Sequence, residues 1–294
     1  VIRYPITDAE LRRRIEAEKP GWLARSQSRT ESFRIEGDYK ESSTIWSEIK
    51  GVYLELQGNC KCAFCERSLE SNQYGKIEQD VEHFRPKGAI RAWKVPAHLK
   101  RQGITPGELP AVRKGYHLLP YNIFNYATAC KPCNSILKKD YFPIAGVYQT
   151  NGDDPRALQS ELPYLIYPIG EIDEDPEKII EFYGTSPRPA SQEQHMRERA
   201  LVTIEFFKLD EPQGRKNLFR ERSLVLMGLY PLLQKTLSAS ITDRSAAQAT
   251  VDSLLVLNLP HLNCAKSFKR LFARDPAEAK SVYDAAVQFM SSKS

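Results

Sequence analysis

Apolar positions near the N-terminus fall at helical spacing. Thr7-Asp8-Ala9-Glu10 has the form of a capping box, Leu11 and Ile15 follow four residues apart, and Pro20-Gly21 stops the run, so a short helix is predicted. A second helix is predicted from Ser42 or Ser43, where Ile45, Trp46, Ile49, Val52, Tyr53 and Leu56 form one stripe closed by Gly58-Asn59. Such a stripe reads as core, and the two helices as a structural shoulder. The period then changes to two. Ile77 to Phe84 alternates apolar and polar residues, which predicts a strand with Asp80 and Glu82 on one face and His83 on the other, then a bend before Pro86. From Gly88 to Gly115 the prolines and glycines break any period, and a long loop with one helical turn is expected.

Residues 151–189 are rich in proline and acids, with Glu171, Asp173, Glu174, Asp175 and Glu177 in one cluster, and read as a loop-rich connector. Ser191-Gln192-Glu193-Gln194 offers a capping box for a helix through Phe207, and Asp275-Pro276-Ala277-Glu278 starts another with proline at its first position. Between them, Leu218 to Leu233 and Ala246 to Leu257 are apolar enough for two or three packed helices. The chain thus divides into an N-terminal helical shoulder (1–58), a central module with a basic insertion (59–145), the acidic connector (146–190) and a C-terminal helical region (191–294). The expected class is α+β, predominantly helical.

A chain of 294 residues, 41% hydrophobic and 27% charged, has the length of one large domain or two ordinary ones and the composition of a soluble globular protein. No run approaches eighteen apolar residues, and Arg12-Arg13-Arg14 with Glu16 lies where a signal peptide would carry its apolar core. Cytoplasmic residence, with no membrane partner, is the expectation; Val1 in place of Met points to a processed or trimmed start. The net charge of +5 is unevenly spread: from His83 to Lys139 there are eleven Lys and Arg against one acid, Glu108. Such a concentration suits a phosphate-backbone ligand, and equally a solvated basic surface.

Four of the six cysteines form two Cys-x-x-Cys pairs, Cys62/Cys65 and Cys130/Cys133. In a chain of this size that spacing points to a structural zinc rather than a disulfide framework. Cys60 is either a spare thiol or a substitute for Cys62. The pairs enclose Asp80-Val81-Glu82-His83-Phe84-Arg85-Pro86 in sequence, a carboxylate directly followed by a histidine, which suits metal-assisted hydrolysis. His98, His117, His195 and His261 have no such setting and read as structural.

His83, Asn125 and Asn134, with the flanking cysteine pairs, resemble the HNH nucleases, whose ββα-metal fold places two strands and a helix around one divalent cation. Val81-Glu82-His83-Phe84-Arg85-Pro86-Lys87 and Ala129-Cys130-Lys131-Pro132-Cys133-Asn134-Ser135, continued by Lys138-Lys139-Asp140-Tyr141-Phe142-Pro143, look like a narrower branch. It holds the HNH proteins of Septu-type and retron-associated anti-phage systems, which accompany an ABC-type ATPase. The specific match covers roughly residues 46–145; Pro163-Tyr164-Leu165-Ile166-Tyr167-Pro168 and Glu174-Asp175-Pro176-Glu177 continue it weakly.

The resemblance implies a metal-dependent endonuclease acting on DNA, with RNA left open. His83 would be the general base, Glu82 and Asn134 the ligands of Mg²⁺ or Mn²⁺, and Asn125 would orient the His83 ring by a hydrogen bond. Cys62, Cys65, Cys130 and Cys133 would hold the structural Zn²⁺. Arg85, Lys87 and Lys138 would contact phosphates, or Arg85 and Lys138 would serve as salt-bridge partners behind the site. Glu82 stands where Asp is commoner in the family, and Asn134 where His is commoner. Both substitutes keep an oxygen ligand, and Asp80 is a second choice for Glu82.

Overall fold

The computed structural model describes residues 1–58, 60–71, 73–75, 78–107 and 114–292. Asn59, Ile77 and, in the basic insertion, Glu108, Pro110 and Arg113 lie outside the described residues. The first predicted helix is α1 (Asp8–Glu18), where the Thr7 hydroxyl accepts from the Glu10 amide at 3.2 Å. The pattern predicted no element for α2 (Trp22–Glu36). Only Trp22, Ser26 and Phe33 of this helix are buried, too narrow a stripe to stand out, and its ends are set by Gly21 and Gly37 at φ 77° and 69°. The predicted second helix begins as a 3-10 turn (Trp46–Ile49) and continues as α3 (Lys50–Leu56).

β1 (Gln79–His83) pairs antiparallel with β2 (Tyr126–Cys130), His83 opposite Tyr126 and Gln79 opposite Cys130. The insertion between them holds the single turn α4 (Ala97–Lys100). Its far end returns to the exit of β1: the Tyr116 amide donates to Pro86 O at 2.8 Å. Gly115 passes so close that a Cβ there would lie 1.7 Å from Gly88 O, so no other residue fits. After β2 comes a wide-turned π-helix (Pro132–Lys138), whose last turn closes with the Lys139 amide donating to Asn134 O at 2.7 Å.

The connector is more ordered than its composition predicts. It contains a 3-10 helix (Pro155–Glu161), α5 (Pro176–Ile179) and a second hairpin, β3 (Ile180–Tyr183) with β4 (Ser186–Pro189). Then follow α6 (Gln194–Phe206), α7 (Lys216–Lys235), α8 (Ile241–Leu254), α9 (Leu262–Arg274) and α10 (Pro276–Ser291). The α6 cap is the Glu193 carboxylate, which accepts from the His195 and Met196 amides, rather than Ser191. The described chain is thus predominantly helical α+β with two small antiparallel sheets. One core surrounds β1, β2 and the N-terminal helices; a second lies among α7, α9, α10 and the β3–β4 hairpin. Among the described residues no helix is long and apolar enough to cross a membrane.

Candidate active site and metal centre

The turn after α3 and the junction of β2 with the π-helix bring the two cysteine pairs together. Ala63 N donates to Thr128 O at 3.0 Å, which pins the turn to β2. The sulfurs of Cys62, Cys65, Cys130 and Cys133, all buried, lie within 4.8 Å of one another. Cys65 Sγ and Cys130 Sγ are 3.8 Å apart. Four sulfurs at ~2.3 Å around a tetrahedral zinc would be separated by about 3.8 Å, so this donor set fits that ion. Cys60 stands outside the cluster, which settles the choice between it and Cys62. A zinc with four thiolates carries a net charge of about −2. Arg215, at the entry to α7, faces it: Nη2 donates to Cys133 Sγ at 3.7 Å and Nη1 to Phe207 O at 3.0 Å.

Next to the cluster lies a cavity of about 610 Å³. Asp80, Glu82 and His83 of β1 and Asn134 of the π-helix all line it, with Lys87. The chain bends at Phe84 and Arg85, where the sequence required it. His83 is buried; its Nε2 donates to Pro120 O at 3.1 Å, since a carbonyl can only accept, and the lone pair is therefore on Nδ1. Burial, reinforced by the Lys87 charge, holds this imidazole well below the ordinary histidine pKa, so it is neutral at neutral pH. Glu82 is buried as well. Burial raises its pKa, against the attraction of Lys138, whose Nζ lies 2.6 Å from Oε1. Asp80 is more open, ion-paired with Lys131 and 3.4 Å from Asn134 Nδ2.

One expected role changes, and for two residues the structure selects between the expected alternatives. The hydrogen bonds of the Asn125 side chain go to the backbone and not to the His83 ring. Its Oδ1 accepts from Arg85 N at 2.7 Å and its Nδ2 donates to Arg85 O and Leu119 O at 3.0 and 3.1 Å, so it ties the exit of β1 to the turn before β2. The ring is oriented instead by the Pro120 carbonyl, which also accepts from the Tyr126 hydroxyl. Arg85 and Lys138 are not at the cavity surface. Lys138 is fully buried, bonded to Glu82 and to His83 O at 3.0 Å. Arg85 is buried among Phe84, Tyr116 and Phe142, with Nε 3.0 Å from Glu161 Oε2. The salt-bridge reading holds for both. Because Glu161 and Arg85 lose their hydration together, Arg85→Met should lower unfolding stability by about 3–5 kcal/mol by leaving a buried carboxylate unpaired. Denaturant unfolding of the variant checks this, and an unchanged midpoint would contradict it.

The basic run is also less free than its sequence implies. Arg85, Arg91, Lys131 and Lys138 pair with Glu161, Asp140, Asp80 and Glu82, acids that lie outside the run. Of the residues named for phosphate contact, Lys87 alone lines the cavity. The pattern did not single out Trp46, Lys139 or Asp140 as cavity residues. Lys139 carries a signal only a backbone shows: at φ 46° and ψ −129° it sits in a region costly for a side-chain-bearing residue, a kind of strain that gathers at functional sites.

No protein-family model matches this chain, and no solved structure matches it. Among curated proteins it is similar to the Septu protein PtuB of Bacillus mycoides (strain KBAB4), 29% identical over 147 residues, a stretch that covers 50% of this chain and 41% of that protein's length.

Proposed function

We propose that the cavity is the hydrolytic site of a metal-dependent HNH endonuclease acting in anti-phage defence. The observation that carries this reading is the convergence of Asp80, Glu82 and His83 from β1 with Asn134 from the π-helix on one cavity, beside a cysteine cluster fit for zinc. Hydrolysis of a phosphodiester needs a base for the attacking water, a counter-charge for the phosphate, and cations that hold the backbone. His83, neutral and with Nδ1 unprotonated, is the base. Lys87 offers a positive charge on the cavity wall. Asp80, Glu82 and Asn134 provide hard oxygen donors that suit Mg²⁺ or Mn²⁺. Asp80 Oδ2 lies 3.4 Å from the Asn134 side-chain amide and is held by Lys131, so Asp80 has its other oxygen to offer. Glu82 has one oxygen to offer, because Lys138 holds the other. A cation bound by these groups would neutralise the charge that develops on the phosphate.

The similarity to the Septu protein PtuB supports the defence role. An ABC-type ATPase partner and a DNA substrate belong to the same proposal, as the family resemblance implies. Purified protein with its partner ATPase should nick supercoiled plasmid when Mg²⁺ or Mn²⁺ is present. Chelating the added cation should stop cutting reversibly while the zinc content stays constant; unfolding on removal of Mg²⁺ alone would contradict that division between the two metals. The Lys138–Glu82 pair favours a second reading, a zinc-stabilised nucleic-acid-binding or scaffold subunit without catalysis. DNA retained but never cut, under any of these conditions, would decide for it.

A further inference from the structure

Trp46 belongs to the apolar stripe that leads into α3, yet it does not share the stripe's burial. Ile45, Ile49, Val52, Tyr53 and Leu56 are buried, whereas Trp46 is half-buried and lines the cavity. Its ring touches two groups that the hydrolytic reading uses. It meets the His83 imidazole in a T-shaped contact, 4.7 Å between centroids and 90°. Over the indole face lies Lys87 Nζ, 4.7 Å from the ring centre. Tyr126 also meets His83, at 5.1 Å and 81°, so two aromatic rings pack on the imidazole while Nε2 is tied to Pro120 O. Trp46 is itself braced by Tyr121 at 5.8 Å, whose hydroxyl donates to Glu41 Oε2 at 2.6 Å. A lysine is a point charge on a flexible four-carbon stem, and an aromatic face beneath it restricts where that charge can go.

We propose that Trp46 is a positioning residue: it holds the His83 ring in place and presents the Lys87 ammonium to a single backbone phosphate of bound nucleic acid. The N-terminal segment would thereby complete a site otherwise built from β1 and the π-helix. The His83 half of this inference rests on the hydrolytic reading; the Lys87 half concerns backbone binding alone.

The test uses the full chain as wild type, Trp46→Ala, Trp46→Phe, Lys87→Met and the Trp46→Ala/Lys87→Met double variant. Binding to a short DNA duplex is measured with no divalent cation added, and plasmid nicking with Mg²⁺ or Mn²⁺. Trp46→Ala and Lys87→Met should each weaken binding about tenfold, and the double variant should bind no worse than either, because the two act as one unit. Trp46→Phe should stay within about threefold of wild type. Turnover at saturating DNA should fall further in Trp46→Ala than in Lys87→Met, since only the former loosens His83. Losses that multiply in the double variant, or Trp46→Ala behaving as wild type, would overturn the proposal. A wild type that binds without cutting removes the hydrolytic reading and leaves the binding cycle to decide the Lys87 half; one that binds no DNA overturns both. Should Trp46→Ala not fold, Trp46→Leu replaces it in the same cycle.

Discussion

Replacing His83 by glutamine is expected to lower plasmid cutting by about 10²- to 10⁴-fold, the usual contribution of a positioned general base. Glutamine is the cleaner variant, because its amide can still donate to Pro120 O, the bond that Nε2 makes at 3.1 Å. Alanine would also remove the ring that Trp46 and Tyr126 pack against and mix a packing loss into the result. DNA binding and zinc content should be unchanged in His83→Gln, and equal cutting by variant and wild type would sink the catalytic assignment. The pH dependence carries a second check. A base must be unprotonated to work, and burial with the Lys87 charge holds His83 well below its ordinary value of 6.5. The acid limb of the rate profile should therefore lie clearly below 6.5, with cutting level through the neutral range. A limb at 6.5 or above would mean that the working ring is not in this dry setting.

Loss of the zinc centre should have the largest effect on the fold. A zinc held by the four sulfurs would join the turn at Cys62 and Cys65 to the start of the π-helix, and Arg215 would tie the same centre to α7. Structural zinc sites supply about 10–16 kcal/mol of apparent binding energy, as much as or more than the ~5–15 kcal/mol that holds a typical domain together. Cys130→Ser should therefore bind no zinc and lose cooperative unfolding, read by metal analysis and circular dichroism. Cys60→Ser, outside the cluster, should keep one zinc per chain and a normal transition. Equal zinc content in the two variants would overturn the four-cysteine assignment. The expected asymmetry also separates the metals: the zinc would be needed to fold, the proposed Mg²⁺ or Mn²⁺ only to cut.

The features legible in the sequence are those whose cause lies within a few residues. Thr7 caps α1 and Asp275 caps α10 because a short polar side chain reaches an amide two or three positions on. β1 falls inside its predicted alternation, ending at His83. The cysteine spacing identified the cluster, since two pairs at zinc-knuckle spacing have few other uses. Less legible were α2, whose buried stripe is three residues wide, and the β3–β4 hairpin, where Pro187 and Pro189 obscure a strand pattern.

Which charges and hydrogen bonds meet is set by long-range packing. Arg85 finds Glu161 across 76 positions, and His83 finds Pro120 across 37. The sequence left Arg85 and Lys138 as either phosphate contacts or salt-bridge partners; folding buried both against carboxylates and left Lys87 at the cavity. Asn125 changed from a partner of the imidazole to a tie between Arg85 and Leu119. Trp46 changed from a core position to a wall of the cavity. The physical reason is common to all of these: capping, alternation and ligand spacing are local, so the chain carries them at every point. The partner of a buried charge or ring is fixed only when distant segments pack, because only then does the loss of water make an unpaired group too costly to leave alone.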